Sequence, residues 1–254
     1  MTDNEMMYHI GLTASMIEGA QYAILPGDPG RVVEIAKKLN NYKKLNVNRE
    51  YTSYLGEIAG NKVLVISTGM GGPSTAICVE ELNMIGIKNL IRVGTSGGMQ
   101  LDVESGDIVV AQGAIRQEGT SKEYLPIEFP AIADLEITNA LVQSAKDLKQ
   151  NYHVGVVQCK DSFYGQHNPK RMPVGYELEN KWDAWIKGGA LCSEMETSAL
   201  FTVSSYLRLK AGAVLLVIWN QERANKNLDN KQIFDTDKEI DVAIHAIELL
   251  CKKK

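Results

Sequence analysis

A glycine-rich turn between a strand-like run and a helix-like run is the feature that most constrains the fold. The β-branched segment 63–66 leads into a turn with three glycines, Gly69, Gly71 and Gly72, and Pro73 then opens a segment with apolar residues at helical spacing. Glycine lets the backbone turn sharply and approach a ligand closely, and proline suits the first turn of a helix. A helix that begins after such a turn gathers free backbone N–H groups. The stretch therefore predicts a candidate anion or sugar site, with an ordinary tight connection as the alternative.

Strand-like and helix-like segments alternate along all 254 residues. The predicted elements include a helix over 32–39 and a hairpin of strands 54–58 and 62–66 that turns at Gly60-Asn61. A late strand over 213–219 is followed by a polar stretch, 220–235, with the composition of a loop or mobile flap, and by an amphipathic helix. Because no linker or repeat interrupts this pattern, the sequence predicts one α/β domain over residues 1–254.

Composition excludes several classes of protein. A formal net charge of −4 gives no basic footprint for nucleic acid. The longest apolar run, 211–219, is too short to cross a bilayer, and the N-terminus does not resemble a signal peptide. The four cysteines are far apart, and neither they nor the four histidines show metal-ligand spacing. We therefore expect a cytoplasmic protein without nucleic-acid or membrane partners.

Two arginines stand where a bound anion would explain them. Arg31 follows a turn of alternating proline and glycine and begins a helix, which indicates either a phosphate cradle or an ordinary turn with a solvated arginine. Arg92 lies inside an apolar strand, where a buried charge needs a partner. No acidic residue is close to Arg92 in sequence, so a bound anion or a distant salt bridge remain the two interpretations.

Other polar residues have simple structural interpretations beside functional ones. Glu194 and Glu196 precede an apolar helix and could cap its N-terminus. His9 precedes the first core element and has the position of a solvated tail residue. The segment 160–167, by contrast, follows a predicted strand and carries cationic, aromatic and amide side chains. Such side chains suit the mouth of an α/β sheet, where ligands bind.

Five motifs occur here in the order typical of the nucleoside phosphorylase family. They are the turn 26–29, the pair Arg49-Glu50, the signature 67–82, the strand end 92–95 and the segment 194–196. The chain resembles this family over nearly its whole length and is most similar to its uridine-cleaving branch. The resemblance implies a twisted, mixed, largely closed central sheet flanked by helices. It also implies a homo-hexamer, built as a trimer of dimers, with active sites shared between subunits.

The resemblance assigns most of the site residues. The phosphate-binding positions are Gly27, Arg31, Arg49, Arg92 and Thr95, with Arg49 reaching in from the neighbouring subunit. The ribose positions are His9, which crosses the dimer interface, Met195 and Glu196. In some relatives a monovalent cation lies between subunits. The matching positions for K⁺ here are Glu50, Ser74 and Met70, the last through its backbone carbonyl.

Base recognition is the point at which the sequence departs from the family pattern. The resemblance implies that Gln166 pairs with a carbonyl and the ring N–H of uracil and that Phe163 stacks on the base. Many relatives carry an arginine two residues after this glutamine, but Asn168 stands there. The candidates for the missing donor are Lys160, His167 and Arg223, with Arg171 as a weaker one. Purine phosphorylases of this fold place an acid where this chain has Asn220, and an amide cannot act as that acid.

The implied reaction is the reversible phosphorolysis of uridine to uracil and ribose 1-phosphate in pyrimidine nucleoside salvage. Inorganic phosphate is the co-substrate, no cofactor is required, and Arg92, Glu196 and Gln166 are the implied catalytic residues. The alternatives are a nucleoside phosphorylase with purine or broader specificity, a nucleosidase that uses water, a non-catalytic nucleoside-binding relative and a structural oligomer. The three arginines argue against the nucleosidase, because a hydrolase has no use for cations around its nucleophile. The non-catalytic relative would be marked by loss of the phosphate arginines or of Glu196, and both are present.

Overall fold

A computed structural model describes residues 4–252 as alternating strands and helices. The strands are β1 (Tyr22–Pro26), β2 (Asn40–Asn48), β3 (Tyr51–Ile58), β4 (Asn61–Ile66), β5 (Asn89–Gly98), β6 (Ile108–Arg116), β7 (Ala131–Ile132), β8 (Tyr152–Cys159), β9 (Cys192–Glu194) and β10 (Lys210–Asn220). The α-helices are α1 (Pro29–Lys37), α2 (Gly72–Met84), α3 (Thr120–Tyr124), α4 (Leu135–Asp147), α5 (Phe163–His167), α6 (Gly175–Lys187), α7 (Thr197–Tyr206), α8 (Gln221–Asn225) and α9 (Asp237–Lys252). Short 3₁₀ turns cover Ser15–Ile17 and Pro169–Arg171.

Strand β5 is the junction at which the sheet closes. It pairs in parallel with β1 and with β10, and its last two residues pair antiparallel with β9. Strands β10, β6, β8 and β9 continue from it and return to it as a closed ring, while β1, β4, β3 and β2 extend from it as an open arm. The sheet is therefore mixed and largely closed, as the family resemblance predicts.

Helices cover both faces of the sheet. Successive strand residues point to opposite faces, so Ala23 and Leu25 pack into one apolar cluster while Tyr22 and Ile24 pack into the other. The first cluster is completed by α2 and α7, and the second by α1, α4 and α9. The α/β class predicted from the alternating sequence pattern is confirmed.

The glycine-rich turn has the predicted form of strand, turn and helix. Strand β4 ends at Ile66, and α2 begins at Gly72 with Pro73 in its first turn. Gly69 and Gly71 have φ angles of 71° and 94°, a region that strongly favours glycine. A side chain at Gly69 would also come within 2.8 Å of Glu50 Cγ. This turn therefore requires glycine both for its backbone and for its close packing.

Several boundaries differ from the sequence predictions. The β3–β4 hairpin turns at Ala59 and Gly60, both with positive φ, because Asn61 already pairs with Ile58. Helix α1 begins at Pro29, three residues before its predicted start, where Asp28 accepts a hydrogen bond from Gly30 N. The predicted loop 220–235 begins with the short helix α8.

Two expectations from composition can be compared with the described residues. Among residues 4–252, no helix is long and apolar enough to cross a membrane. No disulfide joins cysteines within residues 4–252, and Cys78, Cys159 and Cys192 are buried.

Candidate active site

A cavity of about 860 Å³ opens where strands β1, β4, β8 and β9 end and where β5 and β10 approach their ends. Such an edge is the usual ligand site of an α/β sheet. Twelve of the residues predicted for the site line it: Gly27, Arg31, Glu50, Met70, Arg92, Thr95, Lys160, Phe163, Gln166, His167, Met195 and Glu196. The remaining predicted residues, His9, Arg49, Ser74 and Arg223, are not among its lining residues.

Arg92 is the charged centre of one end of the cavity. Its Nε donates to Glu194 Oε2 at 3.0 Å, and its Nη2 pairs with Glu196 Oε2. The salt bridge that the sequence left as one interpretation is therefore present, with partners more than 100 residues away along the chain. Burial opposes the charge on Arg92, but the two carboxylates outweigh it and raise the pKa of the guanidinium.

One nitrogen of Arg92 has no partner despite this pairing. Its Nη1 is buried without a hydrogen-bond partner among residues 4–252. A Cβ placed on Gly27 would lie 4.0 Å from this nitrogen, so the atom lies beside the turn that follows β1. Arg31 lines the same end of the cavity, and burial and the charge of Arg92 both lower its pKa, against the opposing effect of Glu239. Two guanidinium groups and an unused donor at one place are the features of an anion site.

Glu194 and Glu196 divide two roles that the sequence could not separate. Glu194 caps α7, because its carboxylate accepts hydrogen bonds from the backbone N–H groups of Glu196 and Thr197 at 3.0 Å. Burial opposes its ionisation, yet the Arg92 charge and these amides hold its pKa below the ordinary value. Glu196 instead accepts from Gly71 N at 2.5 Å, which ties the glycine-rich turn to the cavity. Burial raises the pKa of Glu196, with Arg92 opposing the shift.

The other end of the cavity is lined by aromatic and amide side chains. The ring centroids of Phe163 and His167 lie 4.3 Å apart, and those of His167 and Trp219 lie 6.3 Å apart. Burial, and secondarily the charge of Lys160, lower the pKa of His167, which favours a neutral imidazole. Gln166 faces this end and donates through Nε2 to Gln221 Oε1 at 3.1 Å. Aromatic rings beside an amide suit a heterocyclic base.

Lys160 lies behind Gln166 in a buried network that the sequence did not indicate. Its Nζ donates to Ser193 Oγ at 2.5 Å, and Ser193 lies 2.5 Å from Gln158 Oε1 and 2.6 Å from Gln166 Oε1. Burial lowers the pKa of Lys160, while the charges of Glu194 and Glu196 oppose the shift. A smaller cavity of about 310 Å³ adjoins this network and shares Lys160 and Gln166 with the larger one.

Two of the four candidate donors for the base lie elsewhere. The Arg223 guanidinium is held by the carbonyls of Leu101 and Asp229, at 2.7 and 2.9 Å, and by Glu104 at 2.8 Å. Arg171 lies over the ring of Tyr164 and does not line the cavity. Lys160 and His167 are therefore the candidates on the cavity wall.

The side chain of Asn220 makes structural hydrogen bonds to the backbone. Its fully buried amide donates to the carbonyls of Gln100 and Val103, both at 2.7 Å, and its Oδ1 accepts from Arg223 N, which caps α8. Asn168 is exposed and ends α5. Neither residue lines the cavity.

His9 and Arg49 lie away from the cavity of their own chain. The Glu81 carboxylate accepts from the backbone N–H groups of His9 and Ile10, and it lies 2.6 Å from His9 Nδ1. Arg49 is exposed at the β2–β3 turn, and its guanidinium lies over the ring of Tyr8. The two residues are thus presented on the outer surface of the chain.

The residues predicted for a cation surround the glycine-rich turn. Atoms of Glu50 and Ser74 lie within 3.2 Å of the position that a Gly69 side chain would occupy, and Ser74 Oγ donates to Met70 O at 3.3 Å. No group of three or more His, Cys, Asp or Glu side chains that could hold a metal occurs within residues 4–252. Any cation here would therefore depend on carbonyl and hydroxyl oxygens beside a single carboxylate.

Ser193 and Gln158 are the site residues that sequence reasoning missed. Ser193 precedes Glu194 directly and lines the cavity, and Gln158 is one of the last residues of β8. A polar residue near the end of a buried strand was the available signal, but only the pairing of β8 with β9 brings Gln158 opposite Ser193.

Comparison with known proteins gives a consistent result. Residues 21–252 match a family model described as the phosphorylase superfamily. A uridine phosphorylase of Treponema pallidum (strain Nichols) is 54% identical over 243 residues, which cover 96% of this chain and 93% of that protein. A uridine phosphorylase of Escherichia coli (strain K12) is 41% identical over 218 residues, which cover 85% and 86% of the two chains. A guanosine phosphorylase of Halorubrum lacusprofundi is 36% identical over 237 residues, which cover 91% and 94%.

The match spans the cavity residues from Gly27 to Glu196 and all strands of the closed sheet. From the family model and these relatives together, the chain belongs to the phosphorylase superfamily.

Proposed function

We propose that the protein catalyses the reversible phosphorolysis of uridine, releasing uracil and ribose 1-phosphate. The observation that carries this proposal is the unused, buried Nη1 of Arg92 beside Gly27, in a cavity that Arg31, Gln166 and Phe163 also line. One part of the lining has the chemistry for an anion and another part has the chemistry for a base. The names of the uridine phosphorylases of T. pallidum and E. coli support the same reaction.

The cationic end would bind and align phosphate. Arg31, Arg92 and the backbone at Gly27 face one region of the cavity, with Thr95 on the strand beside them. We propose that Arg49 of a neighbouring subunit completes this set, because Arg49 is exposed on the surface of its own chain. Holding phosphate in line with the anomeric carbon, and balancing its charge as the glycosidic bond breaks, supplies most of the rate in such a site.

Glu196 and Met195 would hold the ribose between the two ends. The carboxylate of Glu196 now pairs with Arg92 and with Gly71 N. A phosphate that takes up part of the Arg92 guanidinium leaves lone pairs of Glu196 available to ribose hydroxyl groups. We propose that His9 of a neighbouring subunit reaches the sugar as well, since Glu81 holds His9 at the surface of its own chain.

The base end would stabilise uracil as it leaves. Negative charge then spreads over the ring and its oxygens, so hydrogen-bond donors are needed more than a strong acid. Gln166 supplies an amide donor and an acceptor, and Phe163 supplies a stacking face. Lys160 and His167 line the same part of the cavity and can provide further positive potential or an N–H group.

A purine nucleoside is the second candidate substrate, because a guanosine phosphorylase is among the relatives. Protonation of a departing purine needs an acid near the end of β10. The side chain at that place is Asn220, whose amide is fully used by Gln100, Val103 and Arg223. This arrangement favours uracil over purines.

Assembly and setting follow from the same proposal. We propose a homo-hexamer of three dimers in the cytoplasm, working in pyrimidine nucleoside salvage. A monovalent cation such as K⁺ would bind at Glu50, Ser74 and the Met70 carbonyl beside the subunit interface. Their closeness to Gly69 and to the exposed Arg49 turn supports this location.

A substrate panel tests the reaction. Uridine, thymidine, inosine and adenosine are each incubated with the protein in phosphate buffer and in phosphate-free buffer, and the released base is measured. We expect cleavage of uridine only when phosphate is present, with ribose 1-phosphate formed in equal amount. Equal rates without phosphate would instead identify a nucleosidase, and preferential cleavage of inosine would identify a purine phosphorylase.

A further inference from the structure

A chain of hydrogen bonds runs from a buried cation to the amide that faces the base. Lys160 and Ser193 are about 5% and 4% exposed, and Gln158 is about 1% exposed. The ammonium of Lys160 donates to Ser193 Oγ, and the hydroxyl of Ser193 lies against the carbonyl oxygens of both Gln158 and Gln166. The far side of the Gln166 amide, its NH₂ group, points to Gln221 Oε1.

The positive charge of Lys160 sets the direction in which these hydrogen bonds are donated. An ammonium has only donors, so Ser193 must accept from Lys160, and its single hydrogen is shared between the carbonyl oxygens of Gln158 and Gln166. The positive charge also attracts the oxygen ends of the neighbouring amide dipoles, and the low polarity of a buried site strengthens that attraction. With Lys160 charged, the orientation with Gln166 Oε1 towards Ser193 and Nε2 away from it is favoured. A neutral group at position 160 would remove this preference, because the Ser193 hydroxyl and the Gln221 amide can each present a donor or an acceptor to Gln166.

The orientation of a glutamine amide decides which pyrimidine it can pair with. Uracil presents a donor at N3–H beside a carbonyl acceptor, whereas cytosine presents an acceptor at N3 beside an amino donor. The NH₂ and carbonyl groups of one amide match uracil in one orientation and cytosine in the other. We propose that Lys160, acting through Ser193, fixes the Gln166 amide in the orientation that selects uracil over cytosine. This inference rests on the proposed function and names Lys160 and Ser193 as positioning residues.

Charges around Lys160 support its cationic form. Glu194 and Glu196 oppose the effect of burial on its pKa, and Lys160 Nζ also lies 3.5 Å from Glu194 O. Arg223, the other candidate cation for this end, is committed to Leu101, Asp229 and Glu104. Among the described residues that line this end of the cavity, Lys160 is therefore the cationic side chain placed to orient Gln166.

Binding of two nucleosides to the assembled protein tests the proposal. Dissociation constants for uridine and cytidine are measured by calorimetry in phosphate-free buffer, so that no turnover occurs. The variants are Lys160→Met, Ser193→Ala and the conservative Ser193→Thr, with Lys187→Met, an exposed lysine on α6, as the matched control. Melting curves establish that each variant is folded. If Lys160→Met does not fold, Ser193→Ala, which removes only a hydroxyl, still decides the question.

We expect the native preference for uridine over cytidine to fall about tenfold in Lys160→Met and Ser193→Ala, the value of one bidentate contact that no longer discriminates. Ser193→Thr and Lys187→Met should keep the native ratio. In a Gln166→Leu background, adding Lys160→Met should leave the ratio unchanged, because the orienting effect has no amide to act on.

Three results would overturn the inference. The first is an unchanged ratio in both variants, and the second is a change in Lys160→Met without one in Ser193→Ala. The third is a further change when Lys160→Met is added to Gln166→Leu, which would make Lys160 a direct contact of the base. A native protein that binds neither nucleoside would instead remove the proposed function, and this inference with it.

Discussion

Glu239 shows how a single buried carboxyl can set the response of this fold to pH. It lies in the first turn of α9 with no exposed surface, and neither of its carboxylate oxygens has a hydrogen-bond partner among residues 4–252. Burial raises its pKa to about 8, while the charge of Arg31 opposes the shift. In an unfolded chain the pKa of a glutamate side chain is about 4.3. The folded state therefore binds this proton more tightly than the unfolded state.

Glu239→Gln should remove a pH-dependent loss of stability. For the native protein, the Glu239 contribution to the free energy of unfolding is fully present below about pH 4 and is lost as the pH rises to about 8. The variant keeps a neutral group, so it should gain roughly 2–4 kcal/mol over the native protein at pH 8.5 and little at pH 5. Urea unfolding at these two pH values measures the difference.

Glu128→Gln, at an exposed glutamate, is the control for the loss of a carboxylate. It should follow the native protein at both pH values. Equal stability of Glu239→Gln and the native protein at pH 8.5 would show that Glu239 is not held neutral by burial.

Site residues were predictable from sequence where the type and local position of a single residue indicated its role. Arg92 in an apolar strand indicated a buried charge. Its partners Glu194 and Glu196 could not be predicted, because they lie 102 and 104 residues away along the chain. The contact of Ser193 with Lys160 spans 33 residues and depends on β8 and β9 being neighbours. Such pairings are properties of the folded sheet, so local sequence pattern cannot reveal them.

At the level of elements, the sequence predicted turns and helix starts correctly, but it did not show how the sheet closes. Proline and glycine placed the turn after β4 and the start of α2, because those residues act on their own backbone. The pairing of β10 with β5 joins segments about 120 residues apart and closes the ring. From the sequence, that closure followed only from the family resemblance, since periodicity identifies a strand but not its neighbour.

Substitution of Gly69 by alanine should disturb the site more than the same change at Gly60. Both glycines have φ near 75°, so each alanine costs about 1–2 kcal/mol of backbone strain. At Gly60 a Cβ meets no atom of the described structure within 4 Å, whereas at Gly69 it would press on Glu50 and Ser74. We expect both variants to lose stability, measured by thermal unfolding, and only Gly69→Ala to lose uridine cleavage as well. Full activity in Gly69→Ala would separate this turn from the site.

On the scale of the whole molecule, the cavity of one chain holds only part of the proposed site. Arg31 and Arg92 line it, but Arg49 and His9 lie on the outer surface, near the exposed ring of Tyr8. Residues with charge and hydrogen-bonding capacity at such a surface can complete a neighbour's cavity when subunits meet through a two-fold axis. Under the proposed assembly, catalysis would be a property of the oligomer and not of a single chain.

Mixing two variants that each lack one phosphate arginine tests this sharing. Arg31→Ala removes an arginine from the chain's own cavity and Arg49→Ala removes one that the neighbour would use, so each homo-oligomer should have strongly reduced uridine phosphorolysis. In mixed dimers one site carries both losses and the other carries neither. Random equal mixing, with subunits dissociated and reassembled, should therefore restore about a quarter of native activity.

The control is a mixture of the double variant, Arg31→Ala with Arg49→Ala, and the single variant Arg31→Ala. It contains no intact site and should stay inactive. If verified mixed oligomers of the two single variants recover nothing, both arginines act within one chain and the shared site is wrong.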